Sequence, residues 1–442
     1  MRKNQYKLNS SKGPGLFSRR QFICLSGMAG AGLIAGCAVH PVTGRRELML
    51  ITEAQEIELD RQNSPHQISA DYGTTPDKAL SDYVSRVGQG VAQTTHRPHM
   101  PYSFHTLNAP YVNAYAFPGG TIGITRGILL DLDNEAELAS LIGHEAGHVS
   151  ARHTGQRMTR SLLAGVVLAG VGALADSDLV AGLGGIGAGA LLAGYSRNQE
   201  READSLGLEY MARADYSPEG FVGLMSMLNE MSDKNESAMA VLFSTHPMSS
   251  ERYHTALNEV STRYETRRLN RPIYRERYMD SIAGLRRIAP AIKAMQDGDE
   301  EMMKRNPQRA REHYRRSLNS ASRDYAGNLK MAKCQMALQN NREALTYARN
   351  AGSAYPEEPQ AKHITGMAHL RLNNFDQALE QFNAYEKSLP GNPNTTFFQG
   401  LSSEGMGRRK QAAGKYFDYL QLVNQGDYAR HAYSRLQQWG YI

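Results

Sequence analysis

A spacing of 34 residues recurs through the last third of this chain and restricts what that third can fold into. Ala310, Ala344, Ala378 and Ala412 form one series at this interval, and Ala332, Gly366 and Gly400 form another. Leu338, Leu372 and Met406 follow the same step, as do Tyr314, Ala348, Phe382 and Tyr416, while Pro356 and Pro390 close two of the units. Small residues belong where two helices touch, bulky ones face the next pair, and proline marks the turn. Each unit is then a helical hairpin that cannot bury its apolar face alone and must stack on its neighbours. The clearest units are 325–358, 359–392 and 393–426, with a partial one before them. Residues 266–290 read as a connecting helix or linker ahead of a repeat region over 291–442.

The chemistry lies upstream, at His144-Glu145-Ala146-Gly147-His148. Two imidazoles four residues apart leave the same helix face and can reach one metal ion, and the carboxylate between them can polarise a metal-bound water. Asn134 with Glu137 three residues later predicts a capping box, and Leu138, Leu141 and Ile142 carry the helix into a core. A catalytic zinc takes three protein ligands and keeps one position open. One class of zinc hydrolase puts its third histidine ten residues after the first, with glycine at the seventh; here those places hold Thr154 and Ala151. His153 lies nine residues from His144, which on a continuing helix is the opposite face, so it reads as a surface or core-edge residue. Glu200 and Asp204 are one helical turn apart on one face, with Glu202 pointing elsewhere. Glu200 suits a third ligand, and Asp204 suits a carboxylate that accepts from a ligand histidine and fixes its tautomer. The plainer alternative is an exposed acidic helix paired with Arg197 and Arg201.

With HEAGH followed about fifty residues later by Glu200-Arg201-Glu202-Ala203-Asp204, the chain resembles the M48 family of zinc metallopeptidases. Asn113 to Gly120 resembles the family's segment before the zinc helix, Thr245-His246-Pro247 with Arg252 its late active-site loop, and Cys37 to Leu48 the start of its lipoprotein members. The resemblance covers about residues 37–265. It implies one zinc ion per chain, Glu200 as third ligand, Asp204 behind a ligand histidine, and metalloendopeptidase activity. The repeat pattern is similar to the tetratricopeptide repeat. The fold class expected is therefore α+β and mostly helical: a zincin-like catalytic domain at 37–265, then an all-α solenoid.

In such a site Glu145 is the general base, and His246 and Arg252 are candidates for the second oxyanion donor. His246 could instead fill the open metal position and hold the site latent. Residues 102–107, 112–117 and 121–125 read as short strands, with Pro118-Gly119-Gly120 as a turn. The edge around Asn113, Ala114, Tyr115 and Ala116 could hold an extended substrate through backbone hydrogen bonds.

The first 36 residues read as an export signal. Arg2, Lys3, Lys7, Lys12, Arg19 and Arg20 precede a short apolar run, Arg19-Arg20 looks like a twin-arginine signal, and Leu33 to Cys37 resembles a lipobox. Cys37 would then be lipidated, and Ala38 after it favours the outer membrane on the periplasmic side. The chain carries 50 basic and 44 acidic residues. Losing the six leader bases leaves the signs equal, so the basic balance gives no support for nucleic-acid binding. Cys334 would be the one thiol left, which excludes an internal disulfide. Residues 161–195 carry only Asp176 and Asp178 as charges and read as a buried helical hairpin, with membrane contact as the alternative. The combined plan resembles envelope members of the family. It implies misfolded or misassembled envelope proteins as substrates and the outer-membrane assembly machinery as a partner of the repeats. A rival reading makes the chain a repeat-based assembly chaperone or adaptor with a latent metal site.

Overall fold

The computed structural model describes residues 37–169, 194–234 and 240–442. The expected signal segment, 1–36, lies outside the described residues, as does the middle of the apolar stretch, 170–193. Among the described residues no helix is long and apolar enough to cross a membrane.

The described chain opens on a hairpin of β1 (Cys37–Val39) and β2 (Arg46–Leu48), antiparallel with Cys37 opposite Leu48. Helix α1 (Glu53–Ala70) starts at a capping box made by Thr52 and Gln55, and α2 (Lys78–Ala92) starts at Asp77. Three short strands follow: β3 (Ser103–Leu107), β4 (Ala114–Ala116) and β5 (Thr121–Thr125). Their spatial order is β3-β5-β4, parallel between β3 and β5 and antiparallel between β4 and β5. The strands fall where the alternating pattern put them, β5 with the same bounds and β3 and β4 shorter, and β4 is an edge.

Next come α3 (Arg126–Asp131) and α4 (Glu135–Ser150), the latter carrying the histidine pair. Every residue of α4 is buried, so it runs through the core and not along a surface. Its start differs from the expected capping box. The Asn134 side chain accepts from the Glu137 amide at 3.0 Å, but the Glu137 carboxylate accepts from the Asp133 amide and from the Asn134 side chain. Glu135 anchors the same end, accepting from the Tyr83 and Tyr216 hydroxyls and from Arg277.

Around α4 pack α5 (His153–Ala169), α6 (Arg197–Arg213), α7 (Glu219–Lys234), α8 (Ala240–Thr245) and α9 (Ser250–Arg263). The segment expected as a single connecting helix is instead three short helices, α10 (Glu265–Asn270), α11 (Arg275–Ser281) and α12 (Ala283–Arg287). They belong to the catalytic body. Tyr278 is fully buried with its hydroxyl donating to the Leu129 carbonyl, and Ile273 accepts from the Ala136 amide. Polarity in the sequence suggested a linker because the residues between these anchors are exposed.

Helix pairs then stack to the C-terminus: α13 (Ala289–Met303) with α14 (Pro307–Ser320), α15 (Tyr325–Ala337) with α16 (Asn341–Ala354), α17 (Gln360–Arg371) with α18 (Phe375–Ser388), and α19 (Pro393–Gly405) with α20 (Arg409–Leu422), ending in α21 (Asp427–Gln438). The unit before residue 325, expected to be partial, is a complete pair. Its Gly298 meets Tyr314 as Gly366 meets Phe382 and Gly400 meets Tyr416: a Cβ on any of these glycines would fall within 2.4–2.8 Å of the facing ring. The 34-residue step thus records small-against-large packing inside three of the hairpins, while the equivalent positions of the α15–α16 pair are both alanines, Ala332 and Ala348. It also sets the turns, where Arg305, Gln339, Asn373 and Gly407 all have φ between +58° and +72°.

Candidate metal centre

Two helices cross at glycines to build the site. A Cβ on Gly143 would lie 2.8 Å from the Gly207 carbonyl oxygen, and one on Gly207 would lie 2.7 Å from the His144 amide nitrogen. Gly147 is nearly as close to Ala203, 3.0 Å from its carbonyl oxygen. No side chain separates the backbones of α4 and α6, so the carboxylates at the start of α6 reach the histidines of α4. Ser196 and Gln199 form a capping box that fixes where α6 begins and so where Glu200 points.

The nitrogen and oxygen donors of His144, His148, Glu200 and His246 all lie within 4.8 Å of one another, and all four residues are buried. His144 Nε2 is 3.1 Å from His148 Nε2, and His148 Nε2 is 3.4 Å from Glu200 Oε1. Two ligands on one tetrahedral zinc, each nitrogen about 2.0–2.1 Å from the metal, stand about 3.4 Å apart, so these separations fit that ion. The chemistry of the set fits as well. His144 Nδ1 lies 3.0 Å from Asp204 Oδ1, a separation that suits a ring proton on Nδ1 and a lone pair on Nε2 toward the other donors. Nitrogen and carboxylate lone pairs brought together inside a core call for a cation between them.

Glu145 is buried beside the cluster, with Oε2 lacking a hydrogen-bond partner among the described residues and Oε1 3.7 Å from His246 Nε2. Burial pushes its carboxyl above the ordinary range, against the pull of His246 and His144. Burial acts the same way on Glu200, but His246, His148 and His144 outweigh it and hold that group well below its usual range. Asp204 is held low by Arg252 and then His144, again in spite of burial.

Arg252 has a different place from the one expected of an oxyanion donor. Its Nε and Nη2 each donate to Asp204 at 2.7 Å, and Nη1 lies 2.9 Å from Glu200 Oε2. A bidentate ion pair commits the guanidinium to supporting the carboxylates. The motif could not show this, because the pairing depends on α9 folding back against α6. His246 follows α8 directly, with Nδ1 3.1 Å from Glu200 Oε1 and 3.4 Å from His144 Nε2, and so completes a set of four.

His153 is the main correction to the motif reading. The α4 helix ends at Ala151, Arg152 takes φ of +57°, and a new helix starts at His153. Arg152 is held in the turn by Glu56 and the Ile51 carbonyl. The break swings His153 under His148, fully buried, with the two Nδ1 atoms 2.8 Å apart. Glu202 points away from the Glu200 and Asp204 face, as expected, and there it meets His153. Tyr195 was missed altogether. Its ring stacks on His148 with centroids 3.7 Å apart, and no spacing rule marks it. Of the expected edge strand, Ala114, Tyr115 and Ala116 form β4, and Asn113 precedes it. All four are buried, and Ala116 lines a small cavity together with His148.

Comparisons with known proteins agree with this geometry. Residues 78–260 match the model of Peptidase family M48. The beta-barrel assembly-enhancing protease of Yersinia pestis is 28% identical over 194 residues, which span 42% of this chain and 40% of that protein. Mitochondrial metalloendopeptidase OMA1 of Schizosaccharomyces pombe is 29% identical over 236 residues, 50% of this chain and 68% of that one. Metalloprotease YcaL of Escherichia coli K12 is 29% identical over 201 residues, 44% of this chain and 72% of that one. The chain thus spans well under two thirds of the Yersinia relative. Crossed glycines, converging imidazoles and the family match over the same residues lead to one conclusion: residues 78–260 of this chain are a Peptidase family M48 domain.

Proposed function

We propose that the chain is a zinc-dependent endopeptidase of a bacterial envelope that degrades misfolded or stalled envelope and outer-membrane proteins. The observation that carries this reading is the buried convergence of His144, His148 and Glu200, with Glu145 beside them. One zinc ion held by those three residues would supply a Lewis acid able to acidify water and polarise a peptide carbonyl. Glu145 takes the proton of the attacking water and passes it to the leaving amine. Burial raises its carboxyl above the ordinary range, the direction that helps a group serve first as base and then as acid. Asp204 holds the His144 tautomer, and Arg252 neutralises Asp204 and Glu200 together.

β4 ends the sheet and packs beside α4, and its outer edge would offer backbone hydrogen bonds to an extended peptide once the cover over it moves, which suits unfolded segments of varied sequence. The stacked repeats offer a surface for substrates or for outer-membrane assembly machinery. The name of the Yersinia relative supports that direction. Arg19-Arg20 and the Leu33–Cys37 sequence support export and a lipid anchor on Cys37, on the periplasmic side of the outer membrane.

One observation favours a second state. His246 lies 3.1 Å from Glu200 and 3.4 Å from His144, so with a metal bound it would compete with water or a substrate carbonyl for it, which supports a latent resting form and, with it, a chaperone-like role of the repeats while the site is shut. Movement of the segment around His246 would then precede turnover.

Metal analysis and digestion of an unfolded protein test the proposal. The parent chain should hold one zinc and cleave. Glu145→Gln should keep the zinc and lose at least about 100-fold in rate, and Glu200→Ala should lose the zinc. A parent without metal, or a Glu145→Gln variant that cleaves normally, would falsify the reading.

A further inference from the structure

A chain of side chains runs from the metal site to the N-terminal hairpin. His40 Nδ1 accepts from the Val42 and Thr43 amides, each at 3.2 Å. Its proton is therefore on Nε2, which lies 3.9 Å from Glu202 Oε1. The other oxygen of Glu202 lies 3.2 Å from His153 Nε2. A carboxylate can only accept, so His153 donates from Nε2 and, as a neutral ring, carries a lone pair on Nδ1. That lone pair stands 2.8 Å from His148 Nδ1, which must then hold a proton. What remains on His148 is the Nε2 lone pair, the atom that faces Glu200 and His144.

We propose that His153 and Glu202 are positioning residues that fix the metal-binding tautomer and the ring orientation of His148, with His40 of the N-terminal hairpin closing the chain behind them. The inference rests on the metallopeptidase reading. The two ligand histidines are then set by unlike devices. His144 leans directly on Asp204, whereas His148 leans on Glu202 through a second imidazole. One helix, α6, supplies all three carboxylates: Glu200 to the metal set, Asp204 to His144 and Glu202 to His153. The helix break at Arg152 is what gives His153 this place, since an unbroken helix would carry it away from His148.

The test is zinc affinity, measured by competition with a chelator, together with the visible spectrum of the cobalt-substituted protein. His153→Leu should weaken zinc binding 10- to 100-fold, roughly the range for removing such a support, and should alter the cobalt bands. His153→Gln keeps an acceptor for His148 and a donor for Glu202, and should recover most of the affinity. A purely structural role for the ring would give no such rescue. If the leucine variant does not fold, Glu202→Ala on the half-buried face of α6 should weaken zinc binding in the same direction. Parent-like affinity and cobalt bands in a folded His153→Leu or Glu202→Ala protein overturn the proposal. A parent that binds no zinc defeats the metallopeptidase reading first, so the two failures are distinguishable.

Discussion

At the scale of single residues, burial decides what each titratable side chain does. His363 is packed among the rings of Phe382, Tyr385 and Phe398, with Thr395 Oγ1 3.3 Å from its Nδ1. Burial, helped by nearby Lys333, pushes the imidazole down to about 4. The ring is neutral in the folded chain, while an unfolded histidine takes up a proton near 6.5. Its contribution is therefore complete above about pH 6.5 and is lost as pH falls toward 4, amounting to about 3 kcal/mol at most. His363→Gln should flatten that acid limb in melting curves taken between pH 7 and 4. A parallel fall in both proteins would contradict the assignment. His148 of α4 follows the same logic with another outcome: burial drives it well below its usual range and so keeps its ring neutral, as a metal ligand has to be. The motif made these residues legible in the sequence. Tyr195 and His153 were not, because one acts through a ring stack and the other through a backbone kink.

At the scale of elements, the contact between α4 and α6 is the joint on which the site depends. Gly143 and Gly207 face each other with no room for a methyl group. Gly207→Ala should push the helices apart, cost about 1–3 kcal/mol as an overpacked core does, and weaken zinc binding by moving Glu200. Thermal melting and a zinc titration measure the two effects. An unchanged affinity would show that α6 can slide without disturbing its carboxylates. The sequence announced α4 through its cap and apolar run and α6 through the one-turn spacing of Glu200 and Asp204. It did not announce that their glycines are a crossing point, since a glycine inside a helix reads only as a weak position. The repeats behave in the opposite way. Their hairpins and their small and bulky positions recur at a fixed interval and can be read without coordinates.

At the scale of the whole molecule, the M48 domain and the first repeats share one hydrophobic core, which runs from Tyr72 to Ala368, while Ala378 to Leu436 form a second cluster. Arg126 at the start of α3 locks the junction. Its two terminal nitrogens bind Asp324 at 2.6 and 3.0 Å, and both partners are nearly inaccessible to solvent. Arg126→Ala should cost about 3–5 kcal/mol, because it leaves the Asp324 charge buried alone. Calorimetry should then show the repeat region melting apart from the catalytic body, whereas a small shift with one transition would mean the junction does not need the pair. By itself the sequence determined the helical repeat, the histidine pair, the acidic partner helix and the short strands, because each is written in spacing that a local backbone geometry turns into a face. Only the tertiary structure decided that Arg252 pairs with Asp204 and Glu200, that His246 comes beside the other three donors, that His153 stands behind His148, and that residues 265–287 fold as three short helices against the catalytic body. Those are contacts between segments far apart in the chain, and their partners are chosen by how the helices pack, which no local spacing records.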